Sequence, residues 1–202
     1  ARPGETPIRL AVTARQLTGV ARETLRGFME NDGVVAMDAA DYSAKADGPE
    51  ASWQTIDGTG RTDRAMAIAA PADAPEAVVG AARLDYRFHL TDGGKASVLV
   101  HASPSLAALP GRRLRYAVRI DGGPEQTVDI AADASDKAWG KAVSDNVRIA
   151  RSEHGIPTAG DHTLSIRALD PGVVLQKIVV DMGGLEPSYL GPPESLRGKA
   201  GG

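Results

Sequence analysis

The sequence predicts an all-β fold, an antiparallel β-sandwich, on three observations. Apolar and polar residues alternate in short windows such as Leu84-Asp85-Tyr86-Arg87-Phe88-His89-Leu90, the period-2 pattern of a strand with one buried face. Turn sequences separate those windows: Asp57-Gly58-Thr59-Gly60, Thr91-Asp92-Gly93-Gly94, Asp121-Gly122-Gly123-Pro124 and Asp170-Pro171-Gly172. The 202 residues also hold 23 Gly and 13 Pro. That supply of turn formers suits roughly seven to nine short strands.

Taken in order, Ile8, Leu10 and Val12 alternate with Arg9, Ala11 and Thr13, a strand over 7–13. Leu17, Val20, Ala21, Leu25 and Phe28 fall on one side of a helix, but Gly19 and the flanking Thr residues weaken that reading. Residues 34–42, VVAMDAADY, form the first strand of the domain proper. Lys45 to Ser52 is polar loop, Trp53 to Ile56 a short strand, and 71–77, PADAPEA, a second loop. Then Leu84, Tyr86, Phe88 and Leu90 face inward from one strand, residues 96–102 form the next, and Leu114, Tyr116, Val118 and Ile120 face inward from another. A strand over 126–130 follows. Ser135 to Val143 is a short helix with Ser135 as its cap, and Val147 to Ala150 is again a strand.

The region Ile156–Ser195 reads as a β-hairpin with an irregular tail. Leu164, Ile166 and Ala168 alternate with Thr163, Ser165 and Arg167. Asp170-Pro171-Gly172 supplies the turn, Pro presetting φ and Gly accepting a positive one. Val173 to Val180 is apolar and β-branched apart from Gln176 and Lys177, which suits a central strand covered on both sides. After Asp181, Gly183-Gly184 break the strand and a Pro-rich loop follows. Its Tyr189 and Leu190 are expected to pack back on the domain or on a neighbour, closing an edge.

These same residues carry a family likeness. GDHTLSIRALDPGVVLQKIVVDMGGLEPSYLGPPES, together with GFMENDGVVAMDAADY, SWQTIDGTGRT and WGKAVSDNVRI, resembles the C-terminal domain of glycoside hydrolase family 115, the xylan α-1,2-glucuronidases. The resemblance runs through about residues 27–195 in unbroken order. It implies a jelly-roll sandwich like that of carbohydrate-binding modules, with the catalytic machinery in other domains. It also divides the chain: 1–26 as the last strand of a preceding domain plus linker, 27–195 as the sandwich, and 196–202 as a disordered tail.

Composition narrows the functions open to the chain. A net charge of −3 gives no electrostatic case for nucleic acid or an anionic membrane as partner. No apolar run approaches the roughly 20 residues of a membrane span. Ala1-Arg2-Pro3-Gly4-Glu5 begins no signal peptide, so a mature chain and an excised piece are both open. With 0 Cys, thiol chemistry, disulfides and Cys-ligated zinc are excluded. There is no Gly-x-Ser-x-Gly elbow and no His-Glu-x-x-His. His89, His101, His154 and His162 are scattered, and picking an acid–base pair from 26 acids would be arbitrary. The chain is read as lacking a catalytic constellation of its own.

Two constellations remain. By resemblance to sandwich modules of carbohydrate-binding families 6 and 35, Asp38 and the late-strand Asp181 are the candidate metal ligands for a structural calcium. The family pattern has a second early acid where this chain has Ala40, and calcium takes six to eight oxygens. No cofactor is required, and calcium is the one ion the resemblance admits. The other constellation is a saccharide platform. Trp53 and Trp139 are the only two Trp, and an indole face stacks on a pyranose while polar side chains bond its hydroxyls. Gln54, Asp145 and Asn146 supply such groups, and Arg61 or Arg64 forks a uronate carboxylate. Against this, a domain with 4% aromatics also needs Trp in its core.

The expected function is therefore a non-catalytic binding module. It would hold glucuronoxylan or another plant polysaccharide near the catalytic domain of a secreted or periplasmic α-glucuronidase. The alternative is a structural module that packs on sister domains or on a second copy as a homodimer and binds no sugar.

Overall fold

A computed structural model describes residues 24–198. The strand expected over 7–13, and most of the segment weighed as a helix, lie outside the described residues. The strands are β1 (Phe28–Met29), β2 (Val34–Asp38), β3 (Ala44–Ala46), β4 (Ser52–Asp57), β5 (Arg64–Ala69), β6 (Arg83–Leu90), β7 (Gly94–Ala102), β8 (Arg115–Ile120), β9 (Gln126–Asp129), β10 (Arg148–Ile156), β11 (Gly160–Ala168) and β12 (Val174–Asp181). The helices are α1 (Glu76–Val79) and α2 (Asp136–Asp145).

Two sheets face each other. One runs β1-β6-β11-β8-β9, with β3 also on β6, and the other runs β10-β7-β12-β5-β4, with β2 also on β12. Every pairing is antiparallel except the short β1, parallel to β6. The alternation in β6 and β11 does what the sequence predicts. Leu84, Tyr86, Phe88 and Leu90 from one, and Leu164 and Ile166 from the other, point into the core and are fully buried. Ile178 and Val180 meet them from the second sheet. Burial of side chains of this size is worth roughly 1.5–3 kcal/mol each, which is what holds the two layers together.

Three expectations need correction. The stretch read as a hairpin is not one: β11 pairs β6 and β8, whereas β12 pairs β2, β5 and β7 in the opposite sheet. Asp170-Pro171-Gly172 therefore turns a corner between layers, because β12 is apolar on both faces and needs a central place in its own sheet. Arg64–Ala69, given no assignment from sequence, is β5, and Lys45 and Ala46 of the expected loop Lys45–Ser52 belong to β3 on the β6 edge. Finally, Leu196–Gly198 are not disordered. Leu196 O accepts from Met29 N at 2.8 Å, and Gly198 N donates to Gly27 O at 2.8 Å.

The C-terminal segment is the fold's second cover. Ser195 N donates to Ala36 O at 2.9 Å and Ser195 Oγ accepts from Ala36 N at 3.0 Å, along the edge of β2. Upstream, Lys177 Nζ donates to Pro192 O at 2.8 Å, and a Cβ on Gly191 would lie 2.9 Å from the His101 ring. His101, Lys177 and Val179, on the outer face of the second sheet, are buried. The tail does close an edge, but Tyr189 and Leu190 stay 66% and 60% exposed.

Candidate functional site

A hollow of about 690 Å³ runs beside α2. The helix begins where the sequence says: Ser135 Oγ accepts from Ala138 N at 3.2 Å, satisfying a donor the helix leaves free. It ends at Asn146, left-handed at φ 54°, a conformation Asn tolerates. Ala138, Lys141, Ala142 and Asp145 recur at helical spacing and so share one face, which forms a wall of the hollow. Val147, just before β10, and Ile149 within it continue the lining, as do Ser188 and Tyr189 of the tail.

Arg61 reaches into this groove from the β4–β5 turn. Its Nε donates to Asp145 O at 2.9 Å, its Nη1 donates to Tyr189 O, and its guanidinium lies 4.3 Å from the Tyr189 ring centroid. The turn itself is held from beneath. The Arg61 backbone N donates to Gln176 Oε1 at 3.0 Å. Gly60, at φ +78°, lies so close that a Cβ there would meet Gln176 Cδ at 2.5 Å; only glycine fits that backbone and that space.

A second hollow of about 330 Å³ adjoins, lined by Leu106, Leu114 and the half-buried Trp139. Arg148 lines both. Its guanidinium lies 5.5 Å from the Trp139 ring centroid, and its Nη1 reaches Ile130 O only at 3.4 Å. Its Nε is buried with no acceptor. The cation–π contact holds the guanidinium against the indole. Lys141 pairs with Asp145 at 2.6 Å, and the groove's remaining charged lining is Arg61, Arg148 and the Asp133 carboxylate.

Of the residues named from sequence, Arg61 and Asp145 line this groove, Trp139 lines the adjoining hollow, and Asn146 lines neither, its carbonyl accepting from Gln176 Nε2 at 2.9 Å. Trp53 does not join them. It is 1% exposed, its ring lies in the core, and its Nε1 has no partner; a buried ring offers no face to a sugar. Gln54 is exposed on β4, the strand at the opposite end of the sheet from β10, and Arg64 pairs with Asp41 at 2.8 Å. Lys141, Arg148 and Tyr189 were missed. The helical spacing of Ala138, Lys141, Ala142 and Asp145 was the signal for the first; the other two come in through tertiary approach alone.

Asp38 and Asp181 form no ligand pair. Asp38 is registered with Lys177 and Asp181 with Val34, at opposite ends of the β2–β12 ladder. The Asp181 carboxylate instead accepts from Gly183 N at 2.8 Å and Leu185 N at 3.1 Å, closing the turn into the tail. The acids that do meet are Asp38, Asp41 and Glu194, with oxygens within 4.8 Å of one another. Burial raises the carboxyl pKa of both Asp38 and Glu194.

The fold superposes on a family GH115 4-O-methyl-α-glucuronidase with specificity for decorated arabinogalactans, at TM-score 0.58 and 20% identity, over 86% of this chain. The chain spans only 19% of that enzyme. A family 35 carbohydrate binding module from Clostridium thermocellum aligns over 72% of this chain and 97% of its own, at 15% identity and TM-score 0.49. An exo-β-1,3-galactanase from Phanerochaete chrysosporium aligns over 73% of this chain and 29% of its own, at 13% identity and TM-score 0.48. No curated protein matches. Residues 27–194 match the glycosyl hydrolase family 115 C-terminal domain, so the β-sandwich with its tail-covered sheet belongs to that family.

Proposed function

We propose that this domain is a saccharide-binding module whose site is the groove along α2, and that it takes acidic plant polysaccharides. The observation that carries the reading is the pairing of Tyr189 with Arg61 and of Trp139 with Arg148 along two adjoining hollows. Aromatic faces stack on pyranose C–H surfaces, and a guanidinium forks a carboxylate better than an ammonium does. A glucuronate-bearing chain offers both. In this reading catalysis lies in another domain of a larger secreted or periplasmic enzyme, and the module keeps glucuronoxylan or a decorated arabinogalactan close to it.

A second reading has an observation of its own. Val143, Ile149, Tyr189 and Leu190 are all more than half exposed, and Ile149 and Tyr189 line the same groove, so a sister domain or a second copy of the chain could cover them as an interface.

Calorimetric titration of the chain with glucuronoxylan oligosaccharides, arabinogalactan fragments and plain xylo-oligosaccharides decides between the two. Binding that needs the uronate, and that weakens about tenfold in Trp139→Ala and in Arg148→Gln, supports the module. No heat with any saccharide, with a folded chain, overturns it in favour of the interface.

A further inference from the structure

Asp38, Asp41 and Glu194 bring carboxylate oxygens within 4.8 Å of one another, near the acid from which the sequence argument expected a calcium cage. The same spot already holds cations of the chain itself. Lys177 Nζ lies 3.4 Å from Asp38 Oδ1. Arg64 Nη2 lies 2.8 Å from Asp41 Oδ2, and Arg197 Nη1 lies 3.4 Å from Asp41 Oδ1. Three carboxylates therefore face three positive side chains, and a divalent ion at its usual 2.3–2.6 Å from these oxygens would stand against the Lys177 ammonium. The donor set does not fit calcium.

We infer that the Lys177 ammonium takes the place of the structural calcium. Its position is fixed by strand register, since Lys177 lies opposite Asp38 in the β2–β12 ladder. It is 6% exposed, and a buried ammonium persists only where acceptors surround it. Here the hydrogen-bond acceptor is Pro192 O at 2.8 Å, and the charge partner is Asp38 Oδ1 at 3.4 Å, a buried oxygen with no hydrogen bond of its own. The bond to Pro192 O gives the substitution a consequence beyond charge balance. The ammonium fastens the C-terminal tail over the outer face of the second sheet, next to His101. The tail is then held by a covalently tethered cation, with no dependence on calcium supply. The inference does not rest on the saccharide reading, because it concerns a different face of the domain.

The test compares thermal unfolding of the full 202-residue chain in EDTA and in millimolar calcium, together with terbium luminescence as a direct probe of a lanthanide-sized site. The unaltered chain is expected to melt at the same temperature in both media and to bind no terbium. Lys177→Gln empties the place of its cation: its Tm falls by about 4–8 °C in EDTA, and calcium restores at least half of the loss. Lys177→Arg keeps the positive charge and stays indifferent to calcium. A calcium-raised Tm or a saturable terbium signal in the unaltered chain overturns the inference, and so does a folded Lys177→Gln chain that ignores calcium. If Lys177→Gln fails to fold in either medium, the measurements on the unaltered chain still decide.

Discussion

The backbone N–H of Arg61 donates to Oε1 of Gln176 at 3.0 Å across a sequence separation of 115 residues. The same buried amide donates through Nε2 to Ser103 Oγ at 3.0 Å and to Asn146 O at 2.9 Å. One side chain, at a bulge in β12 between Leu175 and Lys177, thus ties together the turn that carries Arg61, the end of β7 and the end of α2.

Gln176→Leu keeps the volume and removes every one of those bonds. It leaves the partner groups unsatisfied in a buried place, at a cost of about 2–4 kcal/mol, read as a lower urea midpoint. Because the Arg61 turn loosens with it, affinity for an acidic saccharide should fall in the same variant. Gly60→Ala should reproduce both effects, since φ +78° and the 2.5 Å approach to Gln176 leave no room for a Cβ. A wild-type midpoint in Gln176→Leu would show that the hub holds nothing.

The two Trp residues should separate cleanly by experiment. Trp53→Ala empties a fully packed core position and should cost about 3–5 kcal/mol. Trp53→Phe should cost far less, because the lost Nε1 has no hydrogen-bond partner. Trp139→Ala, at a half-buried groove position, should leave the denaturation midpoint close to wild type and lower saccharide affinity about tenfold. Equal destabilisation by the two alanine variants would make Trp139 a core residue and remove the aromatic wall of the groove.

What could be read from sequence was whatever period-2 burial dictates. Leu84 to Leu90 and Thr163 to Ala168 declare themselves because one face of each strand is in the core. Arg64–Ala69 does not: Ala65, Ala67 and Ala69 carry little strand preference, and the segment is set by its partners β4 and β12. The exposed β3 is likewise a product of pairing alone. The corner at Asp170-Pro171-Gly172 was mistaken for a hairpin because the turn chemistry of the two is the same, and only burial on both faces sends β12 to the other sheet. At the site, Arg61, Asp145 and Trp139 announce themselves by residue type. Tyr189 and Arg148 become groove residues only when the tail crosses the sheet and α2 sits beside β10, and no local pattern encodes that approach.

That corner has its own lock. Asp170, 3% exposed, accepts from Arg115 N at 2.9 Å and Nε at 2.8 Å through one oxygen, and from Nη2 at 3.0 Å through the other. Arg115 is part-exposed and keeps Glu76 at 3.3 Å, so Asp170→Ala should cost about 1–3 kcal/mol, mainly from the bonds lost at the buried corner. Asp170→Asn keeps the acceptor toward the Arg115 backbone and should lose less. Chemical denaturation of both variants checks the order; an Asp170→Ala chain as stable as wild type would mean that strand pairing alone fixes the corner.

His101 gives the domain a pH dependence of determined sign. Burial lowers its pKa to about 4, helped by the like charges of Lys177 and Arg61. In the unfolded chain the same imidazole titrates near 6.5. Between pH 6.5 and 4 the unfolded state therefore binds more protons, and the contribution, fully present above pH 6.5, is lost as the medium is acidified. Its size is roughly 3 kcal/mol at the foot of the window. His154, also lowered by burial, adds in the same direction. Asp38 and Glu194, raised by burial, act oppositely: they favour the fold once protonated and lose that contribution as pH rises. The difference between wild type and His101→Gln isolates the one group. The variant's urea midpoint should fall less than wild type's from pH 7 to pH 4.5, whereas parallel profiles would mean that His101 takes up its proton equally well in the folded chain, with the tail standing clear of it.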